Sequence, residues 1–101
     1  MRMLLRVTMP PEPFNTLVRE GHAAAKMKRL LDELKPEAAY FTEIGGCRTG
    51  ILIVQMESTS QIPSLAEPWF LTFNANVELH PVMLPEDLAK GGLDALGKKW
   101  A

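Results

Sequence analysis

His80 is the side chain best suited to proton transfer in this sequence, because a free imidazole changes charge near neutral pH. It alternates with apolar residues in the run Val77-Glu78-Leu79-His80, so Glu78 shares its face of an extended strand. A second extended run, Met3 to Met9, carries Arg6 and Thr8 at its own alternate positions. If the two runs are sheet neighbours, a cation, a carboxylate, an imidazole and a hydroxyl approach one another. Such a group could bind a small anion or steady an enolate, with His80 and Arg6 in catalytic roles and Glu78 and Thr8 in binding ones. The alternative is an edge-strand histidine wetted by solvent or taken into a subunit interface, since neither a nucleophile nor metal-ligand spacing accompanies it.

A second set of residues is apolar. Trp69, Phe70 and Phe73, with Met27 and Phe14, could wall a cavity between helices and sheet, and six methionines in the chain would give it soft walls. Against this stands plain core packing, because an aromatic stripe at helical spacing is what any buried helix shows. His22 falls at the border of a helical stripe, a position that more often shields a core edge than lines a pocket. Tyr40 and Glu43 lie on opposite faces of one strand by parity, so only one of them can face a given cavity. Cys47, beside Arg48 in a turn, could be a redox-sensitive thiol or simply a tolerated one.

Periodicity and turn residues locate the strands and helices that carry these side chains. Met3, Leu5, Val7 and Met9 give the period of a strand, ended by Pro10, Pro11 and Pro13. Phe14, Leu17, Gly21, Ala24, Met27, Leu31 and Leu34 predict one long helix, stopped at Pro36, with a close approach to the sheet expected at Gly21. Ala38 to Ile44 and Gly50 to Met56 predict two strands joined by Gly45, Gly46, Cys47 and Arg48 as an antiparallel hairpin. The doubly apolar Ile51-Leu52-Ile53-Val54 places the second of them centrally, covered on both faces. A further helix is predicted from about Ser60 as its cap, kinked or split at Pro68. Pro81 marks the last strand as an edge, and Pro85, Glu86 and Asp87 open a helical tail.

Composition narrows the class of molecule. The 101 residues, 47% hydrophobic and 23% charged, suit one soluble domain, residues 1–101, with 84–101 as a helical C-terminal extension. A net charge of -1 supplies no basic field for nucleic acid. Only Cys47 is available for a disulfide, and no apolar run has the length of a signal or membrane segment, so a cytoplasmic protein without a membrane partner is expected. No zinc spacing, phosphate-binding glycine loop or Ser, His and Asp arrangement is present, and neither metal nor cofactor is expected.

The order β-α-β-β-α-β folds into an α+β ferredoxin-like plait, a four-stranded antiparallel sheet with helices on one face. Its helix-free face would carry Leu4 and one side of the Gly50 to Met56 strand, a surface that a second copy would cover, giving a homodimer. In element order and length, Met1 to about Met83 resembles the dimeric alpha/beta barrel superfamily, small ferredoxin-like domains paired sheet to sheet. Lys35-Pro36-Glu37-Ala38-Ala39-Tyr40-Phe41-Thr42-Glu43 and Ile62-Pro63-Ser64-Leu65-Ala66-Glu67-Pro68-Trp69-Phe70-Leu71 resemble a bacterial group within it that brings no activity. The wider superfamily includes cofactor-free monooxygenases, haem-degrading enzymes, lactone isomerases and stress-response proteins. The Asn, Trp and His arrangement of its haem-degrading members has no counterpart here. What the resemblance implies is a small-molecule-binding or cofactor-free, enzyme-like protein for an apolar or aromatic compound. The competing expectation is a non-catalytic dimeric interaction module.

Overall fold

The structure, a computed structural model, describes residues 1–101 and is α+β. Its strands are β1 (Arg2–Met9), β2 (Ala38–Ile44), β3 (Cys47–Gln55) and β4 (Asn76–Pro81), all antiparallel to their neighbours in the order β2-β3-β1-β4. This arrangement is consistent with a ferredoxin-like fold. The central pair β1 and β3 is the most apolar, and β4, which ends at Pro81, lies at an edge, where a missing backbone donor costs no ladder bond.

Alternation in β1 separates two environments. Met3, Leu5, Val7 and Met9 are buried, whereas Arg2, Leu4, Arg6 and Thr8 are half-buried. The buried residues join Leu52 and Val54 of β3 in a core closed by Leu30, Leu65, Trp69 and Phe73 from the helices, with Phe14, Leu17, Met27, Leu31 and Leu34 packed at its margin. The helices therefore cover one face of the sheet. Leu4, Ile51 and Ile53, aligned across β1 and β3 by the ladder register, occupy the other.

The long helix expected from the Phe14–Leu34 stripe is two helices, α1 (Pro11–Arg19) and α2 (Ala23–Leu34). Gly21 breaks it by adopting φ +77°, a left-handed conformation that costs an L-residue with a Cβ about 1–2 kcal/mol. No atom lies within 4 Å of where its Cβ would be, so the glycine serves the turn and not the close helix–sheet approach that was expected. The apolar stripe spans the break because both helices rest on the same sheet. At the start of α1, Glu12 has extended backbone, and its carboxylate accepts from the Thr16 amide at 3.1 Å and the Thr16 hydroxyl at 2.6 Å, taking the place of a capping side chain.

The hairpin turn is tighter than the sequence suggests. Ile44 pairs with Cys47 across Gly45 and Gly46, whose φ values of +61° and +78° are those of a two-residue primed turn. Cys47, Arg48 and Thr49 thus belong to β3, which begins three residues before the apolar run. After β3, Ser58 and not Ser60 is the cap: its side chain accepts from the Ser60 amide at 3.2 Å and starts a 3₁₀ turn, Thr59–Gln61. Helix α3 (Ile62–Phe73) follows without interruption at Pro68. The carbonyl that loses a donor to Pro68 belongs to the exposed Ser64, while Leu65, Ala66, Trp69 and Phe73 are buried and hold both halves of the helix to the core. Two short helices, α4 (Pro85–Lys90) and α5 (Leu93–Lys99), end the chain. No helix is long and apolar enough to cross a membrane.

Candidate functional site

The pairing of β1 with β4 sets Arg6 opposite Glu78, Leu4 opposite His80 and Thr8 opposite Asn76. Arg6 Nε lies 3.6 Å from Glu78 Oε2, and His80 Nε2 lies 3.4 Å from Glu78 Oε1. The cluster therefore forms around the carboxylate, on the sheet face away from the helices. Its side chains are open to water, at 42% for Arg6, 53% for Glu78 and 59% for His80. Pairs this wet contribute about 0–1 kcal/mol. Arg6 Nε itself is shielded from solvent and makes no hydrogen bond. Thr8 is half-buried two residues along the same strand. None of these four residues lines any of the four principal concavities of the molecule.

The most apolar concavity lies on the opposite face. It is a slot of about 320 Å³ between α1, α2 and the strands β1, β2 and β3, walled by Met9, Phe14, Ala23, Ala24, Met27 and Phe41, with Thr42, Arg48 and Thr49 completing it. Its floor depends on one glycine. Phe41 and Val7 both pair with Gly50, and a Cβ at Gly50 would sit 3.1 Å from Cε1 of Phe41, so the bare backbone lets the phenyl ring lie across β3. Three alanines in succession, Ala23 to Ala25, begin α2, and the first two of them leave the upper wall low. Phe41 remains 47% exposed, so the slot opens to solvent beside it.

Arg48 closes one end. Its guanidinium stacks 4.6 Å from the centre of the Phe14 ring and donates through Nη1 to Asn15 Oδ1 at 2.7 Å. Arg48 thereby fixes α1 against β3 while its aliphatic stem adds to the apolar wall. The Glu12 carboxyl is held below the usual glutamate range, chiefly by the Thr16 hydroxyl, with the Thr16 amide, Arg19 and Arg48 acting in the same direction. At the far end of the hairpin ladder, Glu37 is held low by hydrogen bonds from Gln55 and then Arg2.

Of the aromatic and methionine wall drawn from the sequence, Phe14 and Met27 line the slot. Trp69 does not: it is 0% exposed and packs with Phe73 at a ring separation of 6.2 Å, which makes it core. Its indole N–H has no acceptor in the protein. Phe70, 40% exposed, lies on the outer side of α3. Met9, Phe41 and Arg48 were not expected in this wall, and strand register alone unites them. The available signal was the parity that places Phe41 on the opposite face from Tyr40, together with a glycine in the facing strand. His22 is an exposed residue at the α1–α2 break, and Cys47 is half-buried at the start of β3. No three His, Cys, Asp or Glu side chains come together as a metal site.

No family model matches the sequence, and no curated protein matches it.

Proposed function

We propose that this chain is a ferredoxin-like plait of the dimeric alpha/beta barrel type that binds a small apolar or aromatic compound in the slot between α1, α2 and the sheet. The observation that carries the reading is the slot itself. Its volume of about 320 Å³ falls at the lower end of small-molecule sites, and its walls are apolar with few polar groups, the usual makeup of such sites. A bicyclic aromatic suits the flat space between the Phe41 and Phe14 rings and the short side chains of Ala23 and Ala24. In the paired form the helix-free faces would meet, and Arg6, Glu78 and His80 would lie between two sheets, where a proton carrier beside a carboxylate could act on a second, polar group. The competing reading, a non-catalytic dimeric module, draws its support from the exposed C-terminal helices.

The test is a titration with N-phenyl-1-naphthylamine, an uncharged fluorescent probe. Saturable binding is expected for the native chain. Ala24→Phe, a change at an exposed helix position, should abolish binding by filling the slot while leaving the melting temperature within about 2 °C. Absence of saturable binding, or equal binding by Ala24→Phe and the native chain, would remove the small-molecule reading and leave the interaction module.

A further inference from the structure

Every residue from Met83 to Ala101 is exposed. Helices α4 and α5 have six and seven residues, below the roughly 12–15 at which an isolated helix becomes marginally stable in water. The local sequence nevertheless specifies them. Pro85 opens α4, Asp87 Oδ2 accepts from the Leu84 amide at 2.9 Å, and Lys98 and Lys99 stand at the negative end of α5. Their apolar side chains are also regularly placed: Leu93, Leu96 and Trp100 recur on one helical side, and Trp100 is 77% exposed. Between the two helices lies a cleft of about 420 Å³ with Pro85, Leu88, Ala89 and Leu93 in its wall. The radius of gyration is 17.0 Å and the long dimension 59 Å, whereas a compact chain of this length has a radius near about 13 Å. These residues form an arm that leaves the body after β4, and none of them is buried.

The size of the sheet indicates what the arm is for. Strands of eight, seven, nine and six residues, about 4.8 Å apart and rising about 3.3 Å per residue, offer a planar footprint of roughly 480 Å². A stable association takes roughly 800 Å² from each partner. Pairing of the helix-free faces supplies only part of that, and an arm carrying Leu84, Leu88, Leu93, Leu96 and Trp100 can add to it. We propose that the arm of one protomer, residues 83–101, packs on a second copy of this chain at the margin of its helix-free sheet face, and that the partner's arm does the same in return. This rests on the sheet-to-sheet pairing proposed above and adds the part that gives the pair its strength. A two-fold axis makes the exchange reciprocal, so both arms are covered at once and no apolar end is left to recruit a third copy.

Sedimentation equilibrium of the full-length chain from about 1 to about 100 μM, with Trp100 emission recorded over the same range, tests the arm. Difference spectra against Trp100→Phe separate Trp100 from the buried Trp69. The expected result is a dimer whose Trp100 emission moves to the red on dilution, in step with dissociation. Leu88→Asp and Leu96→Asp, both at exposed positions, should weaken the dimer at least about 30-fold, while Leu71→Asp on α3 should leave it unchanged. A dimer of unaltered strength in both arm variants would overturn the arm and leave sheet pairing standing. Blue emission from Trp100 that persists in the dissociated monomer would show the arm folded on its own protomer and overturn the proposal in the same way. A chain that stays monomeric throughout the range would overturn the arm and the pairing together.

Discussion

The two faces of one sheet are built differently. Leu5 and Leu4 are neighbours on β1, yet Leu5 is 0% exposed beneath the helices and Leu4 is half-buried on the face that carries Arg6, Glu78 and His80. The covered face has aromatic walls and an apolar slot that opens to solvent only beside Phe41 and its neighbours. The open face has a charged cluster that water can reach at every member. Ionisable residues in proximity do not make a site without a wall around them, and an apolar slot can exist where the sequence offers no polar motif to mark it.

The largest effect should separate the neighbours directly. Leu5→Ala is expected to destabilise the chain by about 2–5 kcal/mol, the range for a deleted core leucine, whereas Leu4→Ala should cost under about 1.5 kcal/mol in dilute solution. Urea unfolding at low protein concentration measures both. Equal costs would mean that the open face is already covered, and a Leu4→Ala cost that grows with protein concentration would indicate pairing through that face. Gly50→Ala tests the floor of the slot. Its new Cβ would lie 3.1 Å from the Phe41 ring, and the overpacking is expected to cost about 1–3 kcal/mol and to displace the ring, seen as altered Phe41 resonances. A neutral substitution with an unmoved ring would contradict the role given to Gly50.

On the open face the effects should be small. Glu78→Ala removes the partner of both Arg6 and His80 and is expected to change monomer stability by no more than about 1 kcal/mol, since all three side chains are solvated. A loss of several kcal/mol in the same urea experiment would show that the cluster is tightly coupled and not merely wet. The acid limb sharpens the contrast further. Glu12 and Glu37 are both held below the ordinary glutamate range, so their contribution is complete above about pH 4.3 and is lost as pH falls through their lowered native values. Glu12→Gln and Glu37→Gln should therefore each lose less melting temperature than the native chain between about pH 6 and about pH 3.5. Equal losses would mean that neither carboxylate is held by its partners.

The sequence made the elements legible wherever periodicity and turn chemistry agreed. The alternation of Met3, Leu5, Val7 and Met9 located β1, and Gly45-Gly46 located the hairpin and, with the strand patterns, the α+β class with its four-stranded antiparallel sheet. What escaped were features that periodicity does not encode. An apolar stripe reports which residues face the sheet but not the sign of φ at Gly21, so two helices read as one. Proline at position 68 removes one hydrogen bond, but four buried side chains on α3 outweigh that local loss, so the helix stays whole. The proximity of Arg6, Glu78 and His80 could be read from parity and strand adjacency, whereas their exposure depends on how far the helices reach. The slot was half legible: Phe14 and Met27 lie on a recognisable helical stripe, but Phe41 and Arg48 reach it only through a register fixed by the two-residue turn.

Binding of a small apolar compound on the helix-covered face can be tested against the open face directly. Methyl-selective NMR of the native chain titrated with N-phenyl-1-naphthylamine reads the two faces in one experiment. Saturable shifts are expected at the methyls of Met9, Ala23, Ala24 and Met27, with Leu4, Ile51 and Ile53 unmoved. Shifts at Leu4, Ile51 and Ile53 with silent Met9 and Met27 would contradict it, placing the ligand against the open face beside Arg6 and His80 instead.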